Sequence, residues 1–189
     1  MIDSSTNFTQ VISQAAKVMR AGGVIAYPTE YCFGLGCDPR NEQAIARLLK
    51  IKNRQAEQGL ILIAADIEQV CEYVDLASSP LREQIKRSWP GPNTWTLAAL
   101  ESVSQAVSGK HTTVAMRISG HSLSRQLCEA FGGAIVSTSA NRHGQDALLQ
   151  ANEVAKEMSV ELDYIIAAPV GGAPSASTIR DGLTGQVLR

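Results

Sequence analysis

The sequence predicts a single domain of the α/β or α+β class, built on one twisted sheet. Short apolar runs of strand length alternate with longer segments whose apolar residues recur every three or four positions. The 189 residues are one ordinary domain by length, and no linker-like stretch divides residues 1–189. Apolar residues make up 44% and charged residues 19% of the chain, which is a globular composition. Alternating elements by themselves favour a parallel sheet.

In the first half of the chain, helices are marked by apolar residues at helical spacing and by capping residues. Asn7 is the candidate cap of the first helix, and Asn41 is that of the second. Asp66 can cap a third, shorter helix. The predicted elements are a helix from Asn7 to the stop at Gly22, a strand over 24–28, a helix from about Glu42, a strand over 60–65 and a helix from Asp66 to Tyr73.

Between the first strand and the second helix lies segment 27–36, which we expect to border a functional site. Pro28 ends the strand because proline cannot donate to a sheet ladder. Gly34 and Gly36 then predict a loop in which a ligand can approach main-chain N–H groups closely. Loops at strand ends carry much of protein function.

The second half of the chain predicts further strands separated by helices and rigid turns. Ser79-Pro80 opens a helix, and Trp89-Pro90-Gly91-Pro92 forms a turn before the next strand. The elements predicted after that turn are strands over 94–97, 112–118, 134–137 and 164–167, helices over 122–131 and 151–158, a turn at 182–185 and a closing strand over 186–188.

Charge and cysteine content exclude several classes of protein. The net charge is −1 and the pI is near 6.3, whereas a dedicated nucleic-acid binder usually has a basic excess. Four cysteines without close pairing, and no secretory leader, predict a reduced cytoplasmic compartment without membrane association. Neither the Cys32 and Cys37 pair nor the histidines have the spacing of zinc ligands, so we expect no protein metal site.

Sequence motifs of the common nucleotide-binding and hydrolase folds are also missing. No Gly-x4-Gly-Lys-Ser/Thr segment occurs, and Pro39 stands where a dinucleotide fingerprint after Gly34 and Gly36 requires a third glycine. Gly-x-Ser-x-Gly is missing too, which disfavours a serine hydrolase. The chemistry must come from another set of residues.

Two polar segments, each next to a predicted strand or helix end, supply such a set. Lys52-Asn53-Arg54 follows a helical pattern, and Ser137-Thr138-Ser139-Ala140-Asn141 follows a strand. Cationic side chains combined with small hydroxyls and an amide are the groups that bind a polyphosphate. Taken alone, Lys52 and Arg54 could be a solvated helix terminus, and the second segment could be an ordinary turn.

Together these blocks resemble the threonylcarbamoyl-adenylate synthases, the YrdC-like family. The resemblance extends over nearly the whole chain, and several spaced blocks in order are more specific than one motif. The blocks are Tyr27-Pro28-Thr29-Glu30, Phe33-Gly34-Leu35-Gly36, Lys52-x-Arg54, Trp89-Pro90-Gly91-Pro92, Thr113-Val114-Ala115-Met116-Arg117, Ser137-Thr138-Ser139-Ala140-Asn141 and Ser177-Thr178-Ile179-Arg180-Asp181. The resemblance implies an open, twisted, mixed sheet with helices packed outside it and a concave central cleft.

The resemblance also implies a reaction, in which threonine, bicarbonate and ATP give threonylcarbamoyl-AMP and pyrophosphate. ATP enters as a substrate accompanied by Mg²⁺, and the product serves a transferase complex that modifies the adenosine next to the tRNA anticodon. A non-catalytic module that binds double-stranded RNA or tRNA remains the alternative, with weak RNA binding. A third hypothesis is a relative of the carbamoyl-transferring module of hydrogenase-maturation proteins.

The matched blocks imply a role for each candidate site residue. Lys52 and Arg54 are expected to be catalytic by neutralising the ATP phosphates. The remaining expected ATP contacts are Ser137, Ser139, Asn141 and Arg180, and the expected threonine contacts are Thr29, Thr113, Arg117 and Ser177. For Thr113 the alternative is simple β-propensity, and for Arg117 a surface salt bridge.

Three positions depart from the commonest pattern of the family. Tyr31 replaces a frequent threonine, and Ile63 stands where some longer relatives carry a histidine near the threonine. Arg142-His143 replaces the usual Leu-Ser. We expect these departures to alter threonine affinity or the shape of the cleft.

Overall fold

A mixed sheet of eight strands forms the centre of the computed structural model, which describes residues 4–142 and 144–189. The strands are β1 Ile25–Pro28, β2 Phe33–Gly36, β3 Ile61–Ala64, β4 Asn93–Ala98, β5 Thr113–Ile118, β6 Ile135–Ser139, β7 Tyr164–Ile165 and β8 Thr178–Asp181. Their order across the sheet is β7-β1-β2-β6-β3-β5-β4-β8. The α/β prediction is confirmed.

Both parallel and antiparallel pairs occur, so the parallel sheet favoured by alternation alone is wrong and the mixed sheet implied by the resemblance is confirmed. Strands β1 and β2 are antiparallel because the turn over 29–32 is too short for a crossover helix. Antiparallel pairing continues at β2–β6, β6–β3 and β5–β4, whereas β7–β1, β3–β5 and β4–β8 are parallel.

The helices surround this sheet, and two of them begin at capping residues predicted from the sequence, Asn41 and Asp66. They are α1 Ser4–Arg20, α2 Glu42–Lys52, α3 Ile67–Cys71, α4 Arg82–Arg87, α5 Gln105–Ser108, α6 Ser122–Phe131 and α7 Ala151–Met158, with a 3₁₀ turn over Ala56–Gln58. Asn41 accepts from the Ala44 N–H at 3.0 Å, as a cap should. Asn7 is not a cap: α1 begins at Ser4, because no helix breaker separates the polar lead from the apolar pattern.

Gly34 and Gly36 were expected in an open loop, but both lie in the buried strand β2. A Cβ atom on Gly36 would lie 2.8 Å from Cε1 of Tyr27 and 2.9 Å from the carbonyl oxygen of Val136. The Tyr27 ring therefore occupies the space that a side chain would need. Burial raises the pKa of Tyr27, so its hydroxyl stays protonated and donates to Ser137 Oγ at 2.8 Å.

The end of the chain also differs from the expectation. Thr178–Asp181 forms the edge strand β8, which we did not predict, because its half-exposed polar residues give a weak strand pattern. The closing strand expected over 186–188 is reduced to one bridge between Arg180 and Val187. Between them the Asp181 carboxylate accepts from the N–H groups of Leu183 at 2.9 Å and Thr184 at 2.8 Å. This turn folds the final residues back onto β8.

Apolar residues form a core on each face of the sheet. One face packs against α2 and α7, through residues such as Leu48 and Val154. The other packs against α1 and α6, through Met19, Leu127 and their strand neighbours Ile63 and Ile135. Alternate residues of a strand share a face, so β3, β5 and β6 continue this second face beyond the two helices. There the sheet borders a cavity.

Candidate active site

The cavity has a volume of about 550 Å³, which is in the size range of small-molecule sites. Its floor is the sheet face that α1 and α6 leave uncovered. The floor residues are Gly34, Ile61, Ile63, Thr96, Thr113, Ala115, Arg117, Ser137 and Ser139, and loops add Thr29, Glu30, Tyr31, Arg54, Ser175, Ser177, Leu188 and Arg189. Polar groups from separate parts of the chain thus converge over an apolar strip.

All four residues predicted to bind threonine line this cavity: Thr29, Thr113, Arg117 and Ser177. Thr29 follows β1, and its Oγ1 donates to the carbonyl oxygen of Cys32 at 2.7 Å, which fixes the turn. The Ser177 and Thr94 hydroxyls are 2.8 Å apart and buried. Of the predicted ATP contacts, Arg54, Ser137 and Ser139 also line the cavity, whereas Lys52, Asn141 and Arg180 do not.

Lys52 is buried, with 5% of its surface exposed, so it is not a solvated helix terminus. Its Nζ donates to the carbonyl oxygens of Ser139 at 2.5 Å and Asn141 at 2.9 Å, and to Asn141 Oδ1 at 3.0 Å. Burial, followed by the repulsion of Arg54, lowers the pKa of Lys52 to about 8. Lys52 thereby ties the end of α2 to the chain that leaves β6.

Asn141 uses its whole amide group within that same turn. Its Oδ1 accepts from the Ser139 hydroxyl at 2.6 Å, and its Nδ2 donates to the carbonyl oxygen of Gln145 at 2.6 Å. The turn is therefore held from both sides, by Lys52 and by its own hydrogen bonds. Its effect is to fix Ser139 at the cavity wall.

Arg54 reaches the cavity because of the way in which α2 ends. Asn53 adopts a left-handed conformation, with φ of 51°, and stops the helix immediately before Arg54. Arg54 Nη2 donates to the carbonyl oxygen of Gly59 at 2.9 Å, while its buried Nε has no hydrogen-bond partner among the described residues. Burial and the nearby charge of Arg189 lower the pKa of Arg54. Two guanidinium groups thus share one end of the cavity.

Arg117 forms an ion pair with Glu30, in which Nη2 contacts Oε2. The two side chains are only 11% and 16% exposed, so this pair is not the surface salt bridge weighed as an alternative. Glu30 Oε1 accepts from the Gly120 N–H at 2.6 Å, and Oε2 accepts from the Ser119 hydroxyl at 3.0 Å. Burial tends to raise the pKa of Glu30, but the charge of Arg117 and the N–H donors outweigh burial and hold it below its usual value.

Two of the positions that depart from the family pattern border the cavity. Tyr31 and Ile63 both line it. Arg142 lies outside and donates to the carbonyl oxygen of Ile51 at 3.1 Å and to the Glu161 carboxylate at 2.7 Å. His143 lies outside the described residues.

A family model described as Sua5_yciO_yrdC, telomere recombination, matches residues 17–189. The chain belongs to this family. A threonylcarbamoyl-AMP synthase of Halorhodospira halophila is 44% identical over 178 residues, which are 94% of this chain and 93% of that relative. Relatives of similar length therefore match almost end to end.

Solved structures of Sua5/YciO/YrdC proteins match the fold as well. P. abyssi Sua5 complexed with L-threonine has a TM-score of 0.88 and 32% identity, over 96% of this chain. The present chain spans only about half of that protein, 54% of its length. E. coli YciO has a TM-score of 0.83 and 25% identity, over 96% of this chain and 89% of its own.

Arg189 of this Sua5/YciO/YrdC member is a charged cavity residue that was missed in the sequence. Arg189 lines the cavity, whereas the predicted Arg180 does not, because Ile179 and Asp181 are the β8 residues that face it. The Ile179 N–H donates to the Arg189 carbonyl oxygen at 2.9 Å and holds the last residue there. The predicted turn at 182–185 was the available signal, since it brings the final residues back beside β8.

Within residues 4–142 and 144–189, no group of three or more His, Cys, Asp and Glu side chains is arranged to hold a metal ion. Over the same residues, no helix combines the length and apolar character needed to span a membrane.

Proposed function

We propose that this chain is a threonylcarbamoyl-AMP synthase, a nucleotidyltransferase that makes L-threonylcarbamoyladenylate and pyrophosphate from L-threonine, bicarbonate and ATP. The observation that carries the proposal is the convergence of Arg54, Arg117 and the hydroxyls of Thr29, Ser139 and Ser177 on one cavity. The names of full-length relatives and the threonine complex of P. abyssi Sua5 support it further.

The reaction requires that the substrates are positioned together and that the charge of the leaving pyrophosphate is stabilised. The amine of threonine attacks bicarbonate and releases water, which gives a carbamate. A carbamate oxygen then attacks the α-phosphorus of ATP while the bond to the β-phosphate oxygen breaks in line and pyrophosphate leaves. Such a transfer needs the reactants held together and the negative charge of the leaving group balanced. Groups at two ends of one cavity meet both needs.

Arg54 and Arg189 form the end of the cavity that suits the phosphates. Arg54 has a buried Nε without a partner among the described residues, and a guanidinium fork binds phosphate oxygens in a fixed geometry. The Ser137 hydroxyl, which accepts from Tyr27, can donate to a phosphate or ribose oxygen, whereas the Ser139 hydroxyl donates to Asn141 and can accept from a ribose hydroxyl. Mg²⁺ arrives with ATP as part of the substrate. Lys52 and Asn141 act by fixing the turn that carries Ser139.

Arg117 forms the end of the cavity that suits the threonine carboxylate. Its planar fork can bind a carboxylate with two parallel hydrogen bonds. Thr29 and Ser177 add hydroxyls, and Ile63 and Ala115 provide an apolar floor for the methyl group. The labile product is then used in the cytoplasm by a transferase complex that modifies the adenosine next to the tRNA anticodon.

Pyrophosphate release tests the proposal directly. The purified chain is mixed with ATP, Mg²⁺, threonine and bicarbonate, and each component is omitted in turn. Release that requires both threonine and bicarbonate, and that serine supports poorly, is the expected result. A folded protein that gives no threonine-dependent release, but binds double-stranded RNA with steep salt dependence, would instead be an RNA-binding module.

Replacing Arg189 by alanine is expected to raise the KM for ATP about tenfold or more, whereas Arg180→Ala should leave it within about twofold. The two arginines lie on the same hairpin, but only Arg189 lines the cavity and lies near Arg54. Loss of a charged group that contacts phosphate lowers affinity about 10- to 150-fold, which corresponds to about 1.5–3 kcal/mol. Steady-state kinetics with varied ATP measure both variants. Equal effects of the two substitutions would contradict the assignment of Arg189.

A further inference from the structure

Glu30 is a buried carboxylate that the reaction proposed above does not use. It lies in the turn between β1 and β2, at the cavity wall. Its two oxygens receive Arg117 Nη2, the Ser119 hydroxyl and the Gly120 N–H, all from β5 and the segment that follows β5. Glu30 therefore joins two separate walls of the cavity.

We propose that Glu30 is the positioning residue for Arg117, and that it sets the affinity of the cavity for the carboxylate of the amino-acid substrate. This inference rests on the proposed function, in which Arg117 binds that carboxylate. Glu30 itself does not touch the substrate. It acts by holding one edge of the Arg117 guanidinium, so that the remaining edge faces the cavity in a fixed orientation.

The contacts of Arg117 support a guanidinium that is held on one side by Glu30 and faces the cavity on the other. Glu30 contacts Nη2, while Nε is buried and has no hydrogen-bond partner among the described residues. A buried N–H without a partner costs about 1–3 kcal/mol, and Nε bears this cost while the guanidinium is held on Glu30 with its exposed part at the cavity. A long flexible arginine would also lose rotamer freedom on binding, and the ion pair with Glu30 removes that freedom in advance.

Backbone contacts of the same turn extend this effect to the other threonine-site residues. The Thr29 carbonyl oxygen accepts from the Gly171 N–H at 2.9 Å, and the Glu30 carbonyl oxygen accepts from the Ala173 N–H at 2.8 Å. These bonds join the turn to the segment that leads to Ser177. One carboxylate thus fixes the position of Arg117 relative to Thr29 and Ser177.

If the Glu30 charge acted only by neutralising Arg117, it would lower the affinity for threonine, so an experiment can separate this effect from positioning. Glu30 already neutralises Arg117, so its charge weakens the attraction of Arg117 for a second carboxylate. If charge balance dominated, removal of the Glu30 charge would tighten threonine binding. If positioning dominates, removal of the charge weakens binding because Arg117 is no longer held.

Glu30→Gln is the test variant, since it keeps the shape and loses the charge. We expect it to raise the KM for threonine about tenfold or more and to change the KM for ATP by less than about twofold, as measured by pyrophosphate release. Asp163→Asn is the matched control. Asp163 also accepts from one arginine, Arg47 at 2.6 Å, and one N–H, Val24 at 2.7 Å, but it does not line the cavity.

A second variant moves the carboxylate without removing it. A Cβ atom on Gly120 would lie 3.3 Å from Glu30 Oε1, so Gly120→Ala must displace that oxygen by a few tenths of an ångström. We expect a smaller rise of the KM for threonine in the same direction. This variant decides the question if Glu30→Gln does not fold, as judged by thermal unfolding of both.

Each outcome bears on one of the two proposals. An unchanged or lowered KM for threonine in the folded variants overturns the role of Glu30 alone, as do KM values for threonine and ATP that rise in parallel. No threonine-dependent release by the unmodified chain overturns the proposed function, and the role of Glu30 with it. A rise confined to threonine, without a similar rise in Asp163→Asn, supports the positioning role.

Discussion

Replacing Arg54 by alanine is expected to lower kcat/KM for ATP about 100-fold or more, which is the usual loss when a preorganised charge at a reacting centre is removed. Arg54 lines the cavity, and its Nη2 is fixed on the carbonyl oxygen of Gly59 at 2.9 Å. Because burial and Arg189 lower its pKa, its charge is poorly balanced until phosphate oxygens arrive. The charge is therefore stabilised most when pyrophosphate leaves.

Two further variants make the Arg54 result specific. Arg54→Lys keeps the charge but loses the planar fork, so it should recover only part of the activity. Arg87→Ala removes an exposed arginine of α4 and should leave kcat/KM unchanged. The assay is pyrophosphate release at saturating threonine and bicarbonate. An Arg54→Ala variant with more than about a tenth of the normal kcat/KM would contradict the role given to Arg54.

Features that depend on a few neighbouring residues could be predicted from the sequence. The start of α2 is one, because the Asn41 side chain accepts from an N–H only three residues further along the chain. The cap of α3 at Asp66 is another, with the Gln69 N–H donating at 2.9 Å. Arg54 was predicted from the Lys52-x-Arg54 block shared with the family, since local properties alone also allowed a solvated helix terminus. Tertiary packing leaves such local features unchanged.

Features decided by distant partners could not be predicted in this way. Gly34 and Gly36 predict a loop, because no local sequence pattern indicates that the Tyr27 ring fills the space next to them. Whether the sheet is mixed or parallel also depends on contacts between distant parts of the chain. It depends on β6 inserting between β2 and β3, two strands that precede it by many residues.

The fact that Arg189 lines the cavity, and the predicted Arg180 does not, also depends on distant partners. Which residues of β8 face the cavity depends on its register with β4, where Arg180 lies opposite Trp95. That register places Ile179 and Asp181 on the cavity side. A one-residue shift would have reversed the assignment, and the sequence of a short polar strand does not specify it.

Replacing Lys52 by methionine is expected to lower turnover about 100-fold, even though Lys52 does not line the cavity. Methionine fills a similar volume but leaves the Asn141 carbonyl oxygen without its donor, and it leaves the Ser139 carbonyl oxygen with only the Asn141 N–H at 3.0 Å. Each unsatisfied buried acceptor costs about 1–3 kcal/mol, which favours rearrangement of the turn after β6. The Ser139 hydroxyl would then leave its position at the cavity wall.

The pH dependence separates this role of Lys52 from a purely structural one. A pKa of about 8 in the folded chain, against an ordinary 10.5, means that the unfolded chain holds the proton more tightly. The cost of burying the charge is thus present below about pH 8 and disappears as the pH rises from about 8 to 10.5, so stability increases over that range. Activity should do the opposite, because the neutral amine has only two donors for three acceptors.

We therefore expect kcat/KM for ATP to fall with an apparent pKa of about 8 or somewhat higher, while the free energy of unfolding rises. In Lys52→Met the remaining activity should show no such fall, and this variant is the control for other groups that titrate in the same range. Burial raises the pKa of Cys32, the neighbouring thiol, to about 11, so it titrates later. A normal turnover in Lys52→Met, or the same fall of activity at about pH 8, would contradict the role of a charged Lys52 in holding Ser139.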